Sequence, residues 1–184
     1  FNILNKYGEL YINKVLLIII NMQIIVKNKD TLLYDKFKFK CSVGKKGITS
    51  KKIEGDQKTP RGSYYLGPVY YRKDRLLKPI TKLKLIAIKK DMIWCDDVAS
   101  IHYNKLTKSN NKFTHEKLYR KDHSYDFLIP ISYNSPHPKK NKGSAIFIHL
   151  TKNYKGTMGC ISLKKKDMLI LLKIINKNTK IKII

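Results

Sequence analysis

From residue 22 onward, apolar and polar positions alternate with the period of a β-strand. "MQIIVKNK" opens the pattern, and "LLYDKFKFKCSVG" sets Phe37, Phe39, Cys41 and Val43 against Lys36, Lys38, Lys40 and Ser42. Successive side chains of a strand point to opposite faces, so this spacing predicts a half-buried strand with Cys41 on its apolar side. "GKKGITSKKIEGDQKTPRG" carries four Gly and one Pro and reads as a loop. Strand-like or extended stretches follow at 63–72 (SYYLGPVYYR), 82–90 (KLKLIAIKK) and 92–97 (MIWCDD). Residues 98–123 are polar, with a helical turn expected around "HEKLYR". "YDFLIPISYN" (125–134) and "SAIFIHLT" (144–151) are strong strands parted by a Pro/Lys/Asn loop. "KDMLILLKIINK" (166–177) predicts the one helix, with Asp167 as its N-cap, and "TKIKII" closes the chain as a strand. No repeat and no low-complexity linker interrupts this order. The pattern predicts one mainly-β domain with a single helix in its C-terminal half, an α+β class.

The first 21 residues stand apart from it. "NKVLLIIINMQIIV" holds an unbroken apolar run only from Val15 to Ile20, far short of the ~20 residues that span a bilayer. Lys6 and Lys14 mimic a basic leader start, yet no small-residue cleavage site follows. Residues 1–21 are therefore read as an N-terminal extension outside the native domain, Met22 as the candidate initiator, and 22–184 as the domain. Neither a signal peptide nor a transmembrane segment is expected.

At 184 residues the chain can build a core without disulfide staples. Its three cysteines, at 41, 95 and 160, are odd in number and contain no CxxC, which argues against a disulfide framework or a four-Cys zinc site. The charge is extreme, +26 from 39 basic and 13 acidic residues. Only four of the basic residues are Arg (61, 72, 75 and 120), and the 35 Lys are spread along the whole chain. Base and phosphate readout favours the planar guanidinium. Lys, Asn and Ile are abundant together and share AT-rich codons, so drifted composition accounts for all three. Loose attraction to anionic polymers is expected, and sequence-specific nucleic-acid binding is not.

The candidate chemistry centres on "TMGCISL" (157–163). A thiol behind a glycine, on a bend, is a place for a nucleophile, and His149 ends the apolar strand "SAIFIH" eleven residues earlier. An imidazole beside a thiol can take its proton, because the thiolate is the reactive species. Gly159 lets a carbonyl approach the N–H groups of Gly159 and Cys160, which would form an oxyanion hole. One His near one Cys is a weak signal by itself, and a packed thiol is the commoner meaning. Elsewhere the plain readings are preferred. Cys95 beside Trp94 is a packed thiol, Asp96 and Asp97 form a solvated turn, and the tyrosines of 63–72 are strand aromatics. The five His show no metal-ligand spacing such as HxxxH, so no metal site is expected from them.

Several blocks in order carry a stronger signal. "EGDQKTPRGSYYLG" (54–67), "WCDD" (94–97), "HEKLYRKDHSYDFLI" (115–129), "GSAIFIH" (143–149) and "FIHLTKNYKGTMGCISL" (147–163) together resemble the L,D-transpeptidase catalytic (YkuD-type) family, in a compact subgroup with short His-to-Cys spacing. The resemblance runs from Met22 to the C-terminus. It implies an L,D-transpeptidase-like β-sandwich, with Cys160 as nucleophile, His149 as general base and acid, and the backbone carbonyl after His149 orienting the imidazole. By the same resemblance Gly159 and Cys160 supply oxyanion donors and Thr157 shapes the turn. Thr157, Arg120, His115, Tyr125 and Arg61 are candidate substrate contacts, with Arg75 a further candidate cation. Two positions depart from the family pattern. Met158 stands where many members have His, and Ser162 where many have Arg.

The implied reaction is acyl transfer between peptidoglycan stem peptides, donor and acceptor, through a thioester, without metal or cofactor, in the cell envelope or periplasm. A same-fold L,D-carboxypeptidase or endopeptidase is the neighbouring alternative. A basic binding protein for nucleic acid or anionic polymer, without catalysis, is the reading from a different class.

Overall fold

The alternation seen in the sequence is realised as short strands that fold into two stacked sheets and a cap. The computed structural model describes residues 23–109 and 112–184. The expected extension at 1–21, its Val15–Ile20 run and Met22 lie outside the described residues. In chain order the strands are β1 (Gln23–Lys27), β2 (Thr31–Tyr34), β3 (Phe37–Lys40), β4 (Ile48–Thr49), β5 (Thr59–Pro60), β6 (Gly62–Tyr65), β7 (Val69–Tyr71) and β8 (Leu85–Ala87). There follow β9 (Met92–Cys95), β10 (Leu106–Lys108), β11 (His115–Lys117), β12 (Phe127–Pro130), β13 (Phe147–Leu150), β14 (Ile161–Leu163), the helix α1 (Lys165–Ile174) and β15 (Lys180–Ile183).

One five-stranded sheet has the order β3-β2-β1-β15-β6 and the other β14-β13-β12-β7-β8. Their facing sides make the main core. Ile24, Val26, Ile181 and Ile183 come from the first sheet, Phe127, Ile129, Ile148 and Ile161 from the second. α1 closes one end with Met168, Leu171, Leu172 and the following Ile175, the i, i+3, i+4, i+7 stripe of an amphipathic helix. Burying each such side chain stabilises the fold by about 1.5–3 kcal/mol, so this layer dominates the energetics.

The second sheet is covered on its other face as well. Tyr70, Leu128, Phe147 and Cys160 point away from the main core and pack with Ile88, Leu118 and Tyr125. A three-stranded cap, β10-β9-β11, lies over them, and Trp94 meets Phe147 edge-on at 5.1 Å. Two covered faces explain why "FLIP" and "IFIHL" read as unbroken apolar runs rather than alternating ones. No helix among the described residues is long and apolar enough to cross a membrane.

Several elements differ from the sequence expectations. "HEKLYR" holds no helical turn: His115–Lys117 is β11, hydrogen-bonded to β9 with Glu116 opposite Trp94. The open edge of β9 outweighs local helix propensity, as tertiary pairing commonly does. "SYYLGPVYYR" divides at Gly67–Pro68 into β6 and β7, which belong to different sheets. "LLYDKFKFKCSVG" turns at Asp35, φ 51°, and leaves the sheet after Lys40. Its alternation still holds at Phe39, Cys41 and Val43, all buried. Ser42 is buried too, because there the chain crosses to pair with Ser162. The helix begins after Lys164, which makes no side-chain cap. Asp167 lies inside the first turn, where a carboxylate favours the helix dipole.

Candidate active site

Cys160 and His149 are brought together by two parallel strands. β13 and β14 run side by side with His149 opposite Ser162 and Ile148 opposite Ile161. Cys160, one residue before β14, thus stands across from Phe147 and diagonal to His149 on the same face. Its Sγ donates to the Ala145 carbonyl at 3.2 Å and accepts from the Phe147 N–H at 3.3 Å.

The turn that presents this thiol is clamped by the first half of the chain. Gly159 has φ 139°, and a Cβ there would stand 3.0 Å from the Lys58 carbonyl oxygen, so only glycine fits. The fully buried Thr59 donates its hydroxyl to the Gly159 carbonyl at 2.8 Å and accepts from the Gly44 N–H at 2.8 Å. A Cβ on Gly44 would collide with the Gln57 carbonyl, so this crossing point also requires glycine. Thr157 ties the turn to itself. Its hydroxyl donates to the Cys160 carbonyl at 2.6 Å and accepts the Gly159 N–H at 3.1 Å. In this resting state the Gly159 N–H, expected to face an oxyanion, is thus donated to Thr157. Backbone bonds from Thr157 to Val43 and from Lys45 to Thr157 complete the clamp.

His149 Nδ1 lies 2.9 Å from the Leu150 carbonyl. A carbonyl only accepts, so Nδ1 carries the proton and Nε2 keeps the basic lone pair. The Tyr125 ring meets the imidazole edge-on at 5.3 Å. Removal from water pulls the His149 pKa down to about 4, opposed by the Leu150 hydrogen bond. Burial first, and then the charge of Glu116, push the Cys160 thiol well above its ordinary value. Both shifts favour the uncharged forms, thiol and imidazole. Burial likewise pushes Cys41 up to about 12. Cys95 is fully buried, as expected for a packed thiol.

Cys160 and His149 open on a cleft of about 1590 Å³ that is also lined by Thr157, Arg120, His115 and Tyr125. Arg61 is not among its walls. Arg61 is exposed on the β5–β6 side, where its backbone N–H donates to the Thr49 carbonyl. β5 and β6 diverge there into different sheets, which carries Arg61 away from the thiol. Arg75 stands behind the wall, paired with Asp126 at 2.9 Å. Arg120 is the arginine of the cleft, held by Asp122 at 2.8 Å and by Glu116 at 3.5 Å. At the departure positions, Ser162 is buried against the Ser42 hydroxyl and Met158 is exposed at the cleft mouth.

Three contributors escape sequence reasoning. Thr59 sits in the "KTPRG" block but shows its role only through partners 15 and 100 residues away. Glu116 accepts the Tyr125 hydroxyl, and burial raises its carboxyl pKa. Asp96 lines the cleft with a buried Oδ1 that has no hydrogen-bond partner among the described residues, rather than forming a solvated turn. Asp97 does fit the turn reading, accepting the Ala99 N–H at 2.9 Å. Among the described residues no group of three or more His, Cys, Asp or Glu side chains is placed to hold a metal ion.

No curated protein sequence matches the chain. Among solved structures, Bd1075 of Bdellovibrio bacteriovorus is similar at 15% identity and TM-score 0.46, over 88% of this chain and 46% of that one. An L,D-transpeptidase from Mycobacterium smegmatis is similar at 10% identity and TM-score 0.40, over 88% and 58%. L,D-transpeptidase 1 of Mycobacterium tuberculosis is similar at 8% identity and TM-score 0.40, over 88% and 59%. The chain thus spans between 46% and 59% of those proteins. The sequence profile described as "YkuD: L,D-transpeptidase catalytic domain" matches residues 14–183. With that match over nearly its whole length, the chain belongs to the YkuD family of L,D-transpeptidase catalytic domains.

Proposed function

We propose that this protein is a cysteine-dependent L,D-transpeptidase that cross-links peptidoglycan stems through a thioester. The observation that carries the reading is the placement of Cys160 and His149 on one face of β13 and β14, with Nδ1 held by Leu150. His149 Nε2 takes the Cys160 proton as Sγ attacks the carbonyl at the L-centre of the donor stem's diamino acid. Proton transfer inside the site creates the thiolate only when a carbonyl is ready to receive it, which agrees with burial favouring the uncharged thiol and imidazole. The Cys160 N–H stabilises the oxyanion, and Gly159 joins it if its N–H turns from Thr157. The C–N bond then breaks, His149 returns the proton to the departing D-amino acid amine, and a thioester remains. An amine of a second stem attacks, gives its proton through His149 to the thiol, and releases the cross-link. Arg120, His115, Tyr125 and Thr157 line the route of the stems. The work is placed in the cell envelope, on peptidoglycan.

Incubation with purified muropeptides, read by mass, tests the reading. Cross-linked dimers that vanish in Cys160→Ala support transfer. Trimmed stems alone would make the protein a hydrolase of the same fold. No product and no mass adduct on Cys160 would refute acyl chemistry and leave a basic binding protein.

A further inference from the structure

The segment between β7 and β8 is fastened at its base and bare at its tip. Arg72, 2% exposed, holds Asp74 through Nε at 2.8 Å and Nη2 at 2.7 Å, and lies 3.5 Å from the Tyr119 ring centroid. Arg75 is tied to Asp126 at 2.9 Å and to the Asp122 carbonyl at 3.0 Å. On the returning leg Pro79 and Leu83 are buried. Between these anchors Leu77 is 94% exposed and Ile80 is 72% exposed. Their exposure is not slack: the adjacent Leu76 packs against the main core, so the chain turns Leu77 outward from a fixed base. Lys73, Lys78, Lys82 and Lys84, in the same segment, are exposed too, and the segment's one acid, Asp74, is already engaged by Arg72.

A solvated loop needs the lysines but not the large apolar pair. A folded protein partner would call for a wider apolar patch than two side chains. A glycan or nucleic acid would use the charge and leave Leu77 and Ile80 in water. An anionic bilayer surface uses both. Apolar side chains enter the boundary of the acyl chains while lysines remain among the head groups. We propose that Leu77 and Ile80, with the exposed Lys73, Lys78, Lys82 and Lys84 of the same segment, form an interfacial anchor that seats the protein on an anionic lipid surface. The base of this anchor bonds to Arg120, Lys121 and Asp122, so docking would hold a cleft wall close to the membrane. The inference does not depend on the catalytic reading.

Co-sedimentation of the full chain with vesicles tests it, using phosphatidylcholine alone and phosphatidylcholine mixed with phosphatidylglycerol. Wild type should bind the mixed vesicles and not the neutral ones. Leu77→Ser with Ile80→Ser should weaken that binding at least ~10-fold, as expected for losing the apolar part of an interfacial anchor. Ile101→Ser, at a site 85% exposed in a different segment, should match wild type. A Leu77→Trp variant should shift its fluorescence to the blue on mixed vesicles, a direct reading of insertion. Equal binding by the double variant would leave only general lysine attraction and overturn the proposal. So would equal binding to neutral vesicles, or no vesicle binding by wild type. Thermal melts separate these outcomes from misfolding, and both positions are exposed enough to accept serine.

Discussion

Replacing Thr59 by valine keeps the shape of the side chain and removes its hydroxyl. That hydroxyl serves two backbone groups at once, the Gly44 N–H and the Gly159 carbonyl, each at 2.8 Å, at a site with no exposure. Water cannot replace it without rearrangement, so both groups are left unpaired. A buried orphan costs about 1–3 kcal/mol, which gives about 3 kcal/mol for the pair after partial relaxation. For a chain of this size that lowers the melting temperature by roughly 6–12 °C. Serine keeps the hydroxyl and loses one methyl, worth about 0.8 kcal/mol. The consequence for chemistry comes from what Gly159 does. It precedes Cys160, and a misplacement on the order of 1 Å at a reacting group can cost ~10²-fold in rate. Thr59→Val should therefore slow thioester formation at saturating muropeptide and leave KM nearly unchanged, and Thr59→Ser should restore the rate. Thermal melts and intact-mass time courses on the three proteins measure both effects. If valine and serine variants matched in melting temperature and in acylation rate, the clamp would be packing alone.

The upward shift of the Cys160 thiol predicts that iodoacetamide labels it with the pH dependence of a thiol raised above its ordinary value, not at low pH. Glu116→Gln should move that profile downward by removing a nearby negative charge, and an unmoved profile would separate Glu116 from the thiol. His149 has a folded pKa of about 4 against an ordinary 6.5, so the unfolded chain binds the proton first as pH falls. Its contribution is present above pH 6.5 and lost on the way down to about 4, up to about 3 kcal/mol. His149→Gln should accordingly flatten the loss of stability across that window, read as urea midpoints at several pH values. Arg120→Ala should lower kcat/KM for muropeptides by roughly 10-fold or more, the scale of a lost charged hydrogen bond, while Arg61→Ala should change it little. The reverse ranking would mean that the substrate runs over the β5–β6 side.

Local pattern was enough to read the strands and the helix, because period-2 and period-3.6 burial are properties of neighbouring residues. It placed Phe39, Cys41 and Val43 inside, found β12, β13 and β15, and located α1 to within three residues at its C-terminal end. The blocks that carry Cys160, His149 and Thr157 could be read because they keep their order along the chain, and β13 and β14 set the first two on one face. Everything that depended on a distant partner was left to the tertiary structure. β11 is a strand because β9 offers it an edge, and nothing within "HEKLYR" encodes that edge. Arg61 and Arg120 look alike in sequence, and sheet divergence puts one outside the cleft and the other in its wall. The directions in which the Cys160 and His149 pKa values move follow from burial, with the Glu116 charge a further push on the thiol. Thr59 gains its role only when residues 44 and 159 fold onto it. Residue type and spacing determined which groups were available for chemistry. Burial and pairing across the chain decided their charge, their aim and which of them meet.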